Sequence, residues 1–265
     1  MKKNKTILLT FDVEEFDTPK LHGIDISMQE QMKIGQEGLL NIIELFDELN
    51  HPPSTFYTTA NFANYYPETI KLISEKHEIA SHTFYHSTFK NEDILTSKIR
   101  LEEIIEKRIY GFRMPNMASF NKLLINEAGY QYDSSINPTY LPGKYNYLKY
   151  PITPFQFHNV TEIPASVVPF IRFPLFWLSF KNLPLHFYIQ LCNFTLARTG
   201  FLNLYFHPWE FADLDSFKIP SFIKTPNEKK LIEKLRKFIQ YYQNKPDVEF
   251  KNTIDFYHRI NNQKE

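Results

Sequence analysis

Short apolar runs alternate along the chain with longer segments whose apolar residues return every three or four positions. Residues 6–12 (Thr-Ile-Leu-Leu-Thr-Phe-Asp) form a continuous run closed by a carboxylate, which predicts a buried strand. Residues 28–49 place Met32, Leu39, Leu40, Ile43, Phe46 and Leu49 at helical spacing, so a helix with one buried stripe is expected. Further strands are expected at 54–59, 78–82, 109–113, 131–135, 160–164 and 202–206. Helices are expected from Pro67 to Lys76, over 91–107, from Ser119 as N-cap to Ala128 with Gly129 as terminator, over 183–198, and from Thr225-Pro226 to Asn244. Residues 248–252 could close the sheet. Strand followed by helix, repeated about seven times, means a parallel sheet covered by helices, either open or curled into a barrel. No internal repeat, linker or low-complexity tract interrupts the pattern, and a single domain over residues 1–265 is expected.

Composition narrows the function classes. Lysine plus arginine equals aspartate plus glutamate, 30 against 30, so no global field argues for nucleic acid as a partner. One cysteine, Cys192, excludes an internal disulfide framework and a cysteine-rich zinc module. After the basic start, the apolar stretch Ile7-Leu8-Leu9 is too short for a signal peptide, and no charge-free stretch is apolar enough to span a bilayer. The expected location is therefore cytoplasmic. Glycine is down to 7 while Phe reaches 25 and Tyr 16, so many loops must turn on Pro and Asn.

In parallel α/β folds the chemistry sits at the carboxyl ends of the strands. Those ends carry Asp12-Val13-Glu14-Glu15, His82-Thr83-Phe84-Tyr85-His86, Arg113-Met114-Pro115-Asn116, Asp133, and His207-Pro208-Trp209-Glu210. A lone His-x-x-x-His pair is more often a pair of loop histidines than a ligand set. Its position after a strand, with carboxylates at another strand end, favours two nitrogen ligands and one carboxylate around a metal that keeps an open position.

These blocks resemble the polysaccharide deacetylases of carbohydrate esterase family 4, a family related to the nodulation-factor deacetylase. Thr10-Phe11-Asp12 is similar to the first family block, Thr-Phe-Asp-Asp, and His82-Thr83-Phe84-Tyr85-His86 fits the second, His-(Ser/Thr)-x-x-His, throughout. Arg113-Met114-Pro115 resembles the third, Asp133 the fourth, and Tyr205-Phe206-His207 the fifth. The resemblance departs at Val13, where the family has a metal-binding aspartate, at Asn116 in place of an aromatic, and at Tyr205 in place of leucine. The Asp-Val-Glu start is similar to a branch that includes cytosolic peptidoglycan-type deacetylases and ring-amide hydrolases.

The resemblance implies a distorted (β/α)7-type barrel and a metal-dependent hydrolase of non-peptide carbon–nitrogen bonds. Its substrate would be an N-acetylated amino sugar in a glycan or in a lipid-linked precursor. Glu14, His82 and His86 would hold a divalent metal, zinc first, with cobalt, iron or nickel as alternatives. Asp12 would be the general base and Arg113 would hold it ionised. His207 would be the general acid with Asp133 orienting it, and the Asn116 N–H would stabilise an oxyanion. If Glu14 points away, Asp12 becomes the ligand instead.

Other readings stand beside this one. A ring-opening hydrolase of a small cyclic amide would use the same residues, and Val13 motivates a catalytically silent sugar-binding relative. Glu210 could cap a loop, contact a sugar or assist His207. Residues 163–197, apolar apart from Arg172 and Lys181, read either as core or as a flap touching a membrane surface. The sequence leaves self-association open.

Overall fold

The structure is a computed structural model, and it describes residues 5–262. In chain order, β1 is Lys5–Val13, α1 Met28–Glu48, β2 Ser54–Thr58, α2 Ala60–Tyr65, α3 Pro67–Ser74 and β3 Glu78–Ser81. Then come α4 (Asp93–Ile105), β4 (Gly111–Phe112), α5 (Leu123–Glu127), β5 (Tyr132–Asp133), β6 (Tyr140–Leu141), β7 (Tyr145–Asn146), β8 (Phe155–Phe157) and β9 (Val160–Glu162). The chain continues through α6 (Trp177–Asn182), α7 (Leu185–Thr199), β10 (Phe201–Phe206), α8 (Ser221–Lys224), α9 (Glu228–Gln243), β11 (Val248–Phe250) and α10 (Thr253–Asn262).

The main sheet runs β10-β1-β2-β3-β4-β5-β9-β8, parallel throughout except for the β8–β9 hairpin. It curls into a distorted barrel. The seam between β9 and β10 is bridged by the stretch after β9, where Ser166 N–H donates to the Asn203 carbonyl and Asn203 N–H to Ser166 Oγ at 2.8 Å. The expected closing strand is present as β11, but it pairs only with the start of β1, opposite Lys5 to Ile7.

The centre of β1 is buried on both faces, as an inner parallel strand must be. Leu9, Phe11 and Val13 join the main core with Phe56, Phe206 and the buried face of α1. Their neighbours Thr10 and Asp12 face the barrel interior, where Arg113 lies fully buried. Two glycines let α1 approach the strand ends closely. A Cβ at Gly35 would stand 3.0 Å from the Glu14 carbonyl, and one at Gly38 only 1.8 Å from the Pro208 carbonyl.

Several expected boundaries shift. The helix expected from Ser119 begins at Leu123, because the Asn121 side chain accepts from the Leu123 N–H and takes over the start. Helices α2 and α10 were not expected. Residues 163–197 divide: Phe176 and Phe180 are buried, whereas Phe170 and Ile171 stand exposed at the tip of a turn. Among the described residues no helix is long and apolar enough to cross a membrane.

Candidate active site

Strand alternation decides which acids reach the pocket. Asp12 and Glu14 share one side of the chain and both line a cavity of about 230 Å³ at the carboxyl ends of the strands, while Val13 between them belongs to the core. Glu14 Oε2 lies 3.2 Å from His82 Nε2 and 3.1 Å from His86 Nε2. Its other oxygen accepts from Trp209 Nε1 at 3.1 Å and stands 4.0 Å from His207 Nε2. The candidate ligand atoms of Glu14, His82 and His86 lie within 4.8 Å of one another, so these three could hold one metal ion.

Both imidazoles are aimed from behind. His82 Nδ1 bonds the Arg113 carbonyl at 2.8 Å, and His86 Nδ1 bonds Asp17 Oδ2 at 2.8 Å, which turns each Nε2 towards Glu14. Such partners are what metal-ligating histidines use to fix tautomer and ring orientation. The loop between the two histidines is pinned by the start of α2, whose Ala60 and Asn61 N–H groups donate to the carbonyls of Thr83 and Phe84. Thr59 caps that helix through the Phe62 N–H. Asp17 and α2 are parts of the site that sequence reasoning missed; Thr59 at the N-cap was the signal available for α2.

Electrostatics follow from this crowding. Burial alone would raise the Glu14 carboxyl, but the imidazoles of His86, His207 and His82 override it and hold the group down to about 2. Burial would lower His86, yet Glu14, Asp17 and Glu15 push it up to about 10. His207 is also raised, since Glu14 and Glu210 outweigh its burial.

Arg113 donates to Asp12 Oδ1 at 2.6 Å and to Thr10 Oγ1 and Ser134 Oγ at 2.9 Å each. Its guanidinium carbon sits 3.9 Å from the centre of the Tyr57 ring. Every donor of the fork thus has work inside the barrel, and Asp12 faces the pocket with a fixed charge partner.

The expected pairing of His207 with Asp133 is not what the structure contains. His207 Nδ1 lies 3.1 Å from Glu210 Oε1, which also accepts the His207 N–H at 2.7 Å. Asp133 instead binds Lys122 Nζ at 2.7 Å and Ser135 Oγ, beside Glu162, which shares the same lysine. The reason is strand alternation: Ser134 turns inward to Arg113, so its neighbour Asp133 turns outward towards the helices. The three-residue turn between His207 and Glu210 closes the alternative pair, and the His207 ring stacks on Trp209 with centroids 5.0 Å apart. Behind Glu210, its second oxygen and the Lys181 ammonium are both buried without a hydrogen-bond partner; burial lowers Lys181 and the charge of Glu210 opposes that. Asn116 adopts φ 55°, and its side chain lies between His86 Nε2 at 3.3 Å and Lys144 Nζ at 3.0 Å.

The family model for polysaccharide deacetylase matches residues 1–132, the half that carries Asp12, Glu14, His82, His86 and Arg113. The chain belongs to this polysaccharide deacetylase family, whose members are hydrolases of carbon–nitrogen bonds. A crystal structure from Mycobacterium smegmatis, assigned to the polysaccharide deacetylases, is 21% identical with a TM-score of 0.70, covering 100% of this chain and 92% of that one. The PuuE allantoinase is 17% identical with a TM-score of 0.64, covering 96% and 89%. A carbohydrate esterase family 4 pseudoenzyme from Bacillus anthracis, BA3943, is 10% identical with a TM-score of 0.54, covering 97% of this chain and 66% of its own. At such identities the likeness speaks for the barrel fold. Among curated proteins none matches the sequence.

Proposed function

We propose that the chain is a metal-dependent amide hydrolase that removes N-acetyl groups from an amino sugar in a glycan or glycan precursor. The observation that carries the reading is Glu14 Oε2, set 3.2 and 3.1 Å from two imidazole nitrogens whose rings are both anchored from behind. The donor set suits a divalent cation of the zinc kind: two imidazole nitrogens, once deprotonated, and one carboxylate leave coordination positions open. Such a cation supplies positive charge that polarises an amide carbonyl and makes a water acidic near neutral pH.

The chain's own groups do the rest. Asp12, aimed by Arg113 Nη1 at 2.6 Å, accepts the proton of the attacking water. His207 returns a proton to the leaving nitrogen. Its Nδ1–H is held by Glu210, which leaves Nε2 facing the cavity, and the nearby carboxylates of Glu14 and Glu210 raise its pKa. Glu210 takes the orienting role that the family resemblance gave to Asp133. Trp209 and Trp177 exclude water around the imidazole, with ring centroids 5.0 and 5.3 Å from it.

The test is metal analysis joined to product analysis. Purified protein is expected to carry or take up one zinc, cobalt, iron or nickel ion and to release acetate from an N-acetylated amino sugar. His86→Ala is expected to remove both properties. A protein that stays metal-free yet binds sugar overturns the enzymatic reading in favour of the silent one. Ring-opening of a small cyclic amide without acetate release favours the allantoinase-like reading, for which a cavity of about 230 Å³ also has room.

A further inference from the structure

A second question is what else the substrate carries beside its amide, and the answer rests on the amide-hydrolase reading above. The cavity has two unlike halves. Acids and imidazoles gather at one end, with Asp12, Glu14, Asp17, His86 and His207. One stretch of the remaining wall is hydrocarbon, formed by Phe176, Trp177, Leu178 and Ile223 and ending in Leu21 and Phe222. Leu21 is 70% exposed and Phe222 52% exposed, so these two mark the mouth.

A lone exposed leucine means nothing. Here two exposed apolar side chains come from separate short turns, Thr18–His22 and Ser221–Lys224, and border one opening continuous with a buried apolar wall. The second turn contributes Ile223 to a packed cluster with Phe16, Ile26, Trp209, Leu214 and Ile219, and Phe16 and Ile26 of that cluster flank the first turn in the chain. A sugar ring wants hydrogen-bond partners for its hydroxyls; outside the acid and imidazole cluster the described lining offers them at Thr18, His22, Asn116, Lys144, Tyr145 and Tyr205, whereas Leu21, Phe176, Leu178, Phe222 and Ile223 offer none. A wall of this kind binds hydrocarbon better than it binds hydroxyls.

We infer that the substrate carries a hydrocarbon arm beside the reacting amide, running along Leu178, Ile223 and Phe222 to Leu21 at the mouth. Two sources supply the same chemistry: an N-acyl chain longer than acetyl, or an alkyl or lipid group glycosidically attached to an N-acetylated amino sugar.

Three compounds separate them: the methyl glycoside of N-acetylglucosamine, its octyl glycoside, and the methyl glycoside of N-octanoylglucosamine. Each is offered to the full chain loaded with zinc, and free amine is measured. One octyl compound is expected to exceed the methyl N-acetyl parent roughly tenfold or more in kcat/KM, and which one does so names the source. The double variant Leu21→Asp, Phe222→Asp is expected to bring that ratio down towards one. A second readout needs no turnover. Both tryptophans of the chain, Trp177 and Trp209, line the cavity, so their fluorescence reports binding of octyl glucoside, below its micellar concentration, against methyl glucoside. Equal turnover of all three compounds, or fluorescence that shows no preference for the octyl glucoside, overturns the hydrocarbon arm and leaves the hydrolase reading standing. Preferential octyl binding with no cleavage of any compound keeps the arm and overturns the deacetylase.

Discussion

Two buried glutamates sit at opposite ends of the barrel and behave in opposite ways. Glu14 lies at the carboxyl end of the strands among His82, His86, His207 and the Trp209 N–H. Glu78 opens β3 at the other end and accepts from the hydroxyls of Tyr132 and Thr55 and from the Ile254 N–H at the start of α10. Burial raises both carboxyls. Groups able to carry positive charge hold Glu14 at about 2, whereas the neutral donors around Glu78 let burial push it up to about 7. Burial of an acid therefore says little about chemistry. A cavity on one side and basic partners on the other say much more, and Glu14 alone of the two has both.

The contrast can be attacked where the effect should be largest. Glu14→Gln keeps the shape and removes the charge between the two imidazoles. It is expected to lose bound metal on dialysis and to lower amide hydrolysis by roughly 10³-fold, the scale of removing one charge partner from a reacting centre. Metal analysis and amine release check it together, and a variant that keeps its metal would remove Glu14 from the ligand set.

Next comes the orienting carboxylate. Glu210→Gln should lower kcat by about 10- to 100-fold and move the alkaline limb of the pH–rate profile to lower pH, since the His207 general acid loses one of the charges that raise it. Asp133→Asn should spare kcat and lower thermal stability, because it loosens Lys122 beside Glu162, whose own carboxyl burial pushes up to about 8. The reverse result would restore the role that the family resemblance assigns to Asp133.

Smallest for turnover is Glu78→Gln, expected to leave kcat alone and to act on stability only. With a folded value near 7 above the ordinary 4.5, the native chain holds a proton that the unfolded chain has already released between those pH values. That contribution is complete below the lower value and fades as pH rises towards the upper one, by up to about 3 kcal/mol. Urea unfolding at pH 5 and pH 8 should show this slope in the parent and a flatter one in the variant.

Much of this was legible in the chain because long elements announce themselves. The continuous run of β1 and the helical stripe of α1 appear close to where the pattern puts them, Lys5–Val13 and Met28–Glu48. Whether Glu14 shares a side with Asp12 was left open by the sequence, and the structure places both on the cavity. Short elements gave no such pattern. Strand β5 is only Tyr132–Asp133, too brief for a period of two to reveal which residue faces inward, so Asp133 was credited with a contact that Glu210 makes. Helix α2 spans six residues and has no stripe to read, yet it pins the loop that spaces His82 from His86. Helix α10 does bury Phe256, but it lies beyond the last strand that the alternating pattern required.

The glycines of α1 carry one more implication. With Gly35 against the Glu14 backbone and Gly38 against Pro208, a single rod gauges the separation between the two walls of the pocket, although none of its own residues lines that pocket. A methyl group added to either face would act as a shim, prising the acid-bearing strand end or the His207 turn outward. Tolerance at these two positions is therefore set by alignment across the cavity more than by helix stability, and drift there would surface as mistimed proton transfer before it surfaced as unfolding.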